Sequence, residues 1–317
     1  MVSTEVLPLL KSAVSEPNSA EVGILDSELR CVYPKISSER INFYLYLSVK
    51  SAKIRKITIH YPDGTVADFP RPMIHIFLSA QRGNLKSTRI DQMRKTYPDE
   101  IVLKDQVSFA ALVGSIDKES KTYNVPLAIR ADGKVLVLDE VVRDDKGHFT
   151  KALLQLTERG EYSRDVALTS KPTSLFDGRF VVKNGEITIK SRFSLIMVSM
   201  FTPGMIARSI TGRALLDRMV VLYFDLSSEE RKKIFNSGQP LFTDLGLNPP
   251  QEVDITQQDY TRIYDFWIAN DSENLDIRRL GDLIRCFAVL GHHDEIAYSE
   301  LIKLGTPKEY FAPIRRH

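Results

Sequence analysis

The chain has 317 residues, which is enough for two domains or for one large domain with a smaller appendage. Hydrophobic residues make up 43% of the sequence and charged residues 26%, which excludes a disordered or collagen-like chain. Lys and Arg number 43 against 41 Asp and Glu, so the net charge of +2 excludes a surface that is basic all over.

Residues 1–40 mix Ser, Glu and Pro with short apolar runs, and we predict that they form a peripheral N-terminal segment. From residue 41 the segments INFYLYLSV and KITIHY are rich in β-branched and aromatic residues, which favours strands. The turn sequence Pro62-Asp63-Gly64, followed by TVADF, predicts that KITIHY continues into a β-hairpin.

Four compact apolar runs then have the length of buried strands. In chain order they are MIHIFL, KVLVLDEV, FSLIMVSM and RMVVLYFDL. Helical segments lie between them, the clearest being HFTKALLQLTERGEY, and strands that alternate with helices predict a parallel α/β sheet. We therefore assign residues 41–226 to an α/β core. Residues 227–317 have a helical pattern from SSEERKKIF onward, and we predict a small all-α domain there.

The first apolar run is followed by AQRGNLKS, in which a strand ends and a helix begins. This segment fits the phosphate-loop pattern GxxxxGK[ST], except that Ala80 and Leu85 occupy the glycine positions. In that pattern backbone N–H groups surround the phosphates, Lys86 reaches the β- and γ-phosphates, and Ser87 binds Mg²⁺. An ordinary polar connection between a strand and a helix is the alternative. The candidate nucleotide-binding residues are Ala80, Gln81, Arg82, Gly83, Asn84, Leu85, Lys86, Ser87 and Thr88.

The second apolar run ends in Asp139 and Glu140. In nucleotide hydrolases an aspartate at the end of such a strand helps to hold Mg²⁺, and a glutamate beside it can orient and deprotonate the attacking water. Asp139 and Ser87 are therefore the candidate magnesium ligands. At the end of the third run, Ser199 and Thr202 are polar candidates for contact with the γ-phosphate, although Thr-Pro also simply caps strand ends.

Two further segments carry basic candidates. Arg218 is the first residue of the fourth apolar run, where an arginine can reach the nucleotide of a neighbouring subunit or form a surface ion pair. The segment VVKNGEITIK predicts a hairpin with a type I′ turn at Asn-Gly, and Lys183 and Lys190 are its candidate DNA-binding residues. The alternative is a surface hairpin whose lysines discourage edge pairing.

Taken in order, these segments resemble the AAA+ core of minichromosome maintenance (MCM) helicases. AQRGNLKS resembles the family's GDPGTAKS, and PLAIRADGKVLVLDEV resembles GALVLADGGVCCIDEF. VSFAALVGS resembles SAAGLTGSV, and ALLDRMVVLYFDL resembles LLSRFDLIFVLLD. LDIRRLGDLIRCFAVL resembles the lid helix ITPRQLEALIRLSEAH, so the resemblance extends over residues 74–290.

The resemblance implies a P-loop AAA+ parallel sheet flanked by helices, with a small all-α lid, and it implies ATP and Mg²⁺ as cofactors. Asp139 would hold Mg²⁺ through water and Glu140 would be the catalytic base. Arg218 would be an arginine finger acting in trans, and Arg278 the sensor-2 arginine, with Arg279 as the fallback. The resemblance also implies a homo-oligomeric ring, which we expect to be a hexamer. This ring would hydrolyse ATP at subunit interfaces and act on single-stranded or duplex DNA, as a replication helicase or translocase does.

The sequence also departs from the family. Ala80 and Leu85 replace glycines, the sensor-1 asparagine is missing, and the residues before Met73 are too few for the family's N-terminal OB-fold and zinc ribbon. One alternative is therefore a degenerate AAA+ protein that binds nucleotide with little turnover and serves as an assembly or regulatory factor. Another is a different AAA+ branch, such as a chelatase-type or DNA-packaging ATPase.

Cysteine usage and hydropathy indicate the compartment. Cys31 and Cys286 are far apart and in no metal-binding pattern, so neither a disulfide framework nor a cysteine zinc site is expected. The apolar stretch at residues 193–207 contains Pro203 and Gly204 and is shorter than the ~20 residues of a membrane-spanning helix. We expect a soluble cytoplasmic protein with no membrane partner.

Overall fold

The computed structural model describes residues 24–26, 31–33, 36–116, 123–139, 147–165, 173–238, 240–272 and 275–304. The strands in these ranges are β1 (Ile24–Asp26), β2 (Cys31–Tyr33), β3 (Lys56–His60), β4 (Val66–Phe69), β5 (His75–Ser79), β6 (Ile101–Asp105), β7 (Ser115–Ile116), β8 (Tyr123–Asn124), β9 (Val135–Asp139), β10 (Glu161–Asp165), β11 (Thr173–Leu175), β12 (Phe180–Lys183), β13 (Glu186–Lys190), β14 (Ser194–Ser199), β15 (Met219–Tyr223) and β16 (Glu252–Ile255). The helices are α1 (Ser38–Ser51), α2 (Lys86–Thr96), α3 (Phe109–Val113), α4 (Leu127–Arg130), α5 (His148–Arg159), α6 (Pro203–Ile206), α7 (Ile210–Leu216), α8 (Ser228–Ser237), α9 (Gln257–Asn270), α10 (Ile277–Leu290) and α11 (Glu295–Lys303).

A five-stranded, all-parallel sheet forms the centre of the protein, with the strand order β15-β5-β14-β9-β6. The strands β5, β14 and β15 are buried along their whole length, as parallel strands are when helices cover both faces. The predicted α/β sheet is therefore confirmed. All four apolar runs are strands of it, and β6 adds the edge.

Successive side chains of each central strand pack into different cores. Ile76 and Leu78 of β5 belong to a hydrophobic cluster that includes α1 and α10, whereas Phe77 belongs to a second cluster that includes α5. This division follows from the alternation of side chains across a strand. The sheet is consequently held rigidly from both faces, which fixes the relative positions of its strand ends.

The segment INFYLYLSV, predicted as a strand, lies in helix α1. The side chain of Ser37 accepts a hydrogen bond from the backbone N–H of Arg40 at 3.3 Å and so caps the helix. Most of α1 is buried, and a helix that is apolar on all sides lacks the 3.6-residue periodicity of a surface helix. The strand prediction was wrong because β-branched and aromatic content was the only local signal. Helix α1 also crosses the predicted boundary at residue 41.

The prediction that the chain is purely helical after residue 227 is wrong at one place. Helices α8 to α11 are present, but β16 pairs in parallel with β3 in a second sheet of order β16-β3-β4. A strand of four residues that ends directly at the Thr256 cap of α9 gives too short an alternation to read from sequence. The C-terminal helices are therefore joined to the β3–β4 hairpin, which is itself confirmed, and do not form a separate all-α lid.

A third sheet, of order β10-β13-β12-β11, is inserted between α5 and β14. Its central hairpin is the predicted one, since Asn184 and Gly185 have φ values of +53° and +78°, as a type I′ turn requires. Apolar side chains of β12 and β13 enter the second cluster. The insertion is therefore anchored on the sheet while its turn projects outward.

None of the helices in the described ranges combines the length and the hydropathy needed to cross a membrane. Cys286 is a buried free thiol on α10, and burial raises its pKa well above the usual value, so this cysteine is a core residue.

Candidate functional site

A cleft of about 400 Å³ lies at the carboxyl ends of β5, β14 and β9. The next strand in the chain after β5, β6, lies on one side of β5 in the sheet, and the last strand, β15, lies on the other side, so the strand order reverses at β5. Ligands of open α/β sheets bind at such a reversal point. The cleft is lined by Arg82, Gly83, Asn84, Leu85, Lys86, Ser87, Thr88, Asp139, Val198, Ser199 and Met200. Most of the predicted phosphate loop is thus assembled with Asp139 and Ser199 in one cavity.

The backbone of the loop shows why one glycine position tolerates alanine and the other is strained. Ala80 is completely buried, has no positive φ, and donates its N–H to the carbonyl oxygen of Ser199 at 3.3 Å. Leu85 has φ +60° and ψ +23°, a left-handed conformation that costs an L-residue about 1–2 kcal/mol. Gly83 is also left-handed, with φ +82°. The loop therefore keeps the tight turn that glycine usually provides, with a leucine in one of the turning positions.

Lys86 and Ser87 open α2 and face the end of β9. The ammonium group of Lys86 donates hydrogen bonds to the carbonyl oxygens of Ala80 and, at 3.0 Å, Gln81. The hydroxyl of Ser87 donates to Oδ2 of Asp139 at 3.2 Å. The loop is thus folded around the lysine, and the predicted hydroxyl and carboxylate ligands of Mg²⁺ are in contact.

The donor set at this contact fits magnesium that arrives with a phosphate. No cluster of three or more His, Cys, Asp or Glu side chains suited to a metal occurs in the described parts of the chain. Mg²⁺ in nucleotide sites is held by one or two protein oxygens together with substrate phosphates and water. Ser87 and Asp139 supply two such oxygens, so the pair suits Mg²⁺–nucleotide better than a free metal ion.

Asn84 holds the phosphate loop in place, a role that the sequence did not indicate. Its side chain is 1% exposed, and its amide donates to the carbonyl of Gln81 at 3.2 Å and to Oδ1 of Asp225 at 2.8 Å. Its Oδ1 accepts the backbone N–H of Leu226 at 2.6 Å. The phosphate loop is consequently tied to the segment that follows β15. Only the position of Asn84 in the motif could have drawn attention to it.

Two arginines border the loop. The Nε of Arg82 lies 3.2 Å from the sulfur of Met200, across the mouth of the cleft. A Cβ placed on Gly83 would lie 3.7 Å from Nη1 of Arg231 on α8, a residue the sequence did not single out. Both guanidinium groups are near the backbone that would surround phosphates, and the cleft is therefore electropositive at its rim.

The remaining cleft candidates differ in position. Ser199 is 2% exposed, lines the cleft, and accepts the N–H of Phe201 at 2.9 Å, which leaves its hydroxyl proton able to donate. Thr202 does not line the cleft. It caps α6 by accepting the N–H of Met205 at 3.3 Å. Glu140 lies outside the described residues.

Arg218 and Arg278 are brought together, but at the amino-terminal ends of the sheet strands, opposite the cleft. We call this side of the sheet its amino edge. They line a cavity of about 310 Å³ that also contains His75, the first residue of β5. Four residue steps along β5 separate the two edges by about 13 Å. Arg218 pairs with Glu158 at 3.2 Å, and Arg278 pairs with Asp217. Neither arginine can therefore contact a phosphate in the cleft of its own chain.

The two candidate DNA-binding lysines lie on the inserted hairpin. Lys190 is exposed and forms a long ion pair with Glu161, at 3.8 Å, across the β10–β13 pair. Lys183 is exposed beside the Asn184–Gly185 turn. The structure thus places Lys183 nearest the projecting tip.

A scan against protein-family models finds no match to this chain, and a search of curated proteins finds no match either. Function is therefore inferred from the residues and their geometry.

Proposed function

We propose that this protein is a P-loop ATPase of the AAA+ type, related to the MCM helicase core, that hydrolyses ATP between subunits and acts on DNA. The observation that carries the proposal is the contact of Ser87 with Asp139 beside Lys86, at the reversal point of a parallel sheet. Residues distant in sequence meet there in the arrangement that Mg²⁺–nucleotide chemistry needs.

Each residue of the cleft has a defined task in this proposal. The ammonium of Lys86 exchanges its two carbonyl partners for the β- and γ-phosphate oxygens, and the backbone N–H groups of the loop bind the phosphates. Ser87 and Asp139 provide the protein oxygens for Mg²⁺, which when bound neutralises charge on the β- and γ-phosphates. Ser199 donates its hydroxyl proton to the γ-phosphate or to the attacking water. Glu140, the residue after β9, takes the proton of that water.

The cavity that contains Arg218 and Arg278 supports action between copies. Because Arg218 and Arg278 lie at the amino edge of the sheet, they serve a nucleotide held by a neighbouring chain. A head-to-tail contact, in which the amino edge of one copy meets the cleft of the next, closes into a ring when the rotation permits. We expect a hexamer, with Arg218 as the finger and Arg278 as a second contact. Both must leave their present carboxylate partners to reach the phosphates.

The inserted hairpin supports DNA as the substrate of the motor. Copies of the Asn184–Gly185 tip in a ring would place one Lys183 per subunit towards a shared channel, where phosphates can be tracked without base recognition. The nearly neutral net charge fits this arrangement, because the contact with DNA is confined to the hairpin and is repeated by each subunit of the assembly.

The test is ATP hydrolysis with and without single-stranded DNA, for wild type, Lys86→Ala and Glu140→Gln. Lys95→Ala is the matched control, since Lys95 is exposed at the far end of the same helix. We expect losses of at least about 100-fold for the two site variants and none for the control. A wild-type rate no higher than that of Lys86→Ala contradicts the proposal.

A second function is favoured by two observations. The strained Leu85 and the serine in place of the sensor-1 asparagine would slow turnover without preventing binding. The protein would then be a nucleotide-dependent assembly factor. Tight ATP binding and ATP-dependent assembly, with a hydrolysis rate equal to that of Glu140→Gln, would support this alternative over the motor.

A further inference from the structure

The cavity at the amino edge of the sheet, which we call the arginine pocket, contains two arginines to which no motif assigned a role, Arg71 and Arg285. Its charged lining consists of Arg71, Arg218, Arg278, Arg285, Asp217 and Asp282. Arg71 belongs to the segment that leads into β5, ahead of the phosphate loop. Its backbone carbonyl accepts the Nε of Arg285 at 2.7 Å, which fixes this segment against α10.

Three of the four guanidinium groups are held by carboxylates. Arg278 pairs with Asp217, Arg285 with Asp282 at 2.8 Å, and Arg218 with Glu158 at 3.2 Å. Asp282 is moreover shared with Arg279, at 3.3 Å. The positive charge of the pocket is thus only partly neutralised.

Arg71 is the remaining guanidinium. Its side chain has no carboxylate within ion-pair distance among the described residues, and Glu158, which attracts it, is already bound to Arg218. Burial, together with the repulsion of Arg218, lowers the pKa of Arg71. The Nε of Arg218 is also buried without a hydrogen-bond partner in the described part of the chain. Four guanidinium groups around three carboxylates leave a net positive charge in a partly enclosed cavity.

Such a pocket is suited to an anion, and several convergent guanidinium groups suit the tetrahedral oxygens of phosphate. The neighbouring surface indicates where the phosphate comes from. Ile277 lines the arginine pocket and is 72% exposed, and Met200 lines the nucleotide cleft and is 40% exposed. Each face thus combines a pocket for phosphate with an uncovered apolar side chain. The two faces are complementary, because one is cationic and the other carries the phosphates of a bound nucleotide.

We propose that Arg71 binds the terminal phosphate of a nucleotide held in the cleft of a second copy of this chain. The inference rests on the proposed function, and it adds a third trans-acting arginine to Arg218 and Arg278. Unlike those two, Arg71 needs to break no ion pair before it can bind. Its guanidinium group is therefore available to the phosphate without rearrangement of the pocket.

The experiment compares Arg71→Ala with Arg55→Ala, an exposed arginine outside both pockets, in the full chain. We expect Arg71→Ala to lower kcat about 10- to 100-fold with little change in KM, because the contact forms on the transferring phosphoryl group. Arg71→Gln, which keeps a polar, hydrogen-bonding side chain but removes the positive charge, replaces the alanine variant if circular dichroism shows that the latter does not fold. Arg55→Ala should hydrolyse ATP at the wild-type rate.

Subunit mixing separates action in trans from action in cis. Arg71→Ala subunits retain their own cleft, and Lys86→Ala subunits retain their own arginine pocket. In a random one-to-one mixture about one quarter of head-to-tail interfaces combine an intact cleft with an intact pocket. We therefore expect the mixture to recover about a quarter of the wild-type rate, although each variant alone is nearly inactive.

Three results overturn the proposal, and they differ from one another. An Arg71→Ala rate equal to that of Arg55→Ala removes the role of Arg71 and leaves the proposed function intact. If Arg71→Ala is impaired and the mixture shows no recovery, Arg71 acts in cis or binds a free anion. Binding of a free anion is indicated if pyrophosphate stabilises Lys86→Ala subunits against heat and does so only when Arg71 is present. A wild type without ATPase activity overturns the proposed motor and the inference with it.

Discussion

Leu85 offers the sharpest test of the loop geometry, because its left-handed backbone reverses the usual ranking of alanine and glycine. Any L-residue at φ +60° pays about 1–2 kcal/mol, and alanine pays most of this amount while glycine pays none. Replacing Leu85 with either residue removes the same partly buried side chain, which packs against the main core. Glycine also makes the unfolded chain more flexible, which offsets part of its advantage.

We therefore expect Leu85→Gly to be about 1 kcal/mol more stable than Leu85→Ala in urea unfolding without nucleotide. Lys232, exposed within α8, provides the matched control, because there the alanine variant should be about 1 kcal/mol more stable than the glycine variant. We also expect Leu85→Gly to bind ATP several-fold more tightly than wild type, since the loop N–H groups lose a bulky neighbour. Equal or greater stability for Leu85→Ala would refute the left-handed loop.

Three other predictions follow from the described contacts. Asn84→Ala should lower the free energy of unfolding by about 2–3 kcal/mol, measured in urea, because it leaves the buried N–H of Leu226 without its acceptor. Lys183→Ala should weaken single-stranded DNA binding and lower the salt slope of log Kd by about 0.7, whereas Lys190→Ala should have a smaller effect because Glu161 already pairs with that lysine. Burial, followed by the charge of Arg285, lowers the pKa of His75 from 6.5 to about 3. The folded protein therefore keeps the ring neutral, and the resulting contribution to the free energy of unfolding is complete above pH 6.5 and is lost as the pH falls towards 3. From pH 7 to pH 5 wild type should therefore lose about 2 kcal/mol of unfolding free energy relative to His75→Gln.

Each of these three has its own control. Asn84→Asp keeps the acceptor for the backbone N–H and should recover part of the stability. For DNA binding, Lys183 and Lys190 are controls for each other, and equal losses would show that the tip position has no special role. For the pH series His75→Gln is itself the reference, because it lacks the imidazole whose titration is tested. A parallel pH dependence in wild type and His75→Gln would contradict the assignment of a buried neutral imidazole.

The parts of the fold predicted from sequence were those whose signal is local. Four buried parallel strands are compact apolar runs, and the Asn184–Gly185 turn is specified by two residues whose backbone requirements are rare. Helix α1 was misread because burial on all sides removes periodicity. Strand β16 was missed because its pairing with β3 joins residues far apart in the chain, and nothing within four residues records that contact.

The site was predictable to the extent that a motif sets both residue type and order. The loop, Asp139 and Ser199 were named from sequence, and they line one cleft. The tie made by Asn84 was not recognised because its partner, Leu226, comes from another element of the chain. Arg231 was not recognised because it lies on α8, far in sequence from the loop that it borders. Arg71 carries no motif at all, and only the pairing of the surrounding charges distinguishes it.

Strand β15 gives a physical route between the two pockets of one subunit. It begins directly after Arg218 and ends two residues before Asp225, which Asn84 binds at 2.8 Å. Every residue of the strand is buried, so it cannot shift without disturbing both cores. In the proposed motor, a nucleotide that moved the phosphate loop would therefore act on the carboxyl end of β15, and the arginine pocket lies at the amino end of the same strand. Filling one cleft should consequently change how that subunit presents Arg218 to its neighbour. Loss of the Asn84 side chain should uncouple successive clefts more than it weakens any single one.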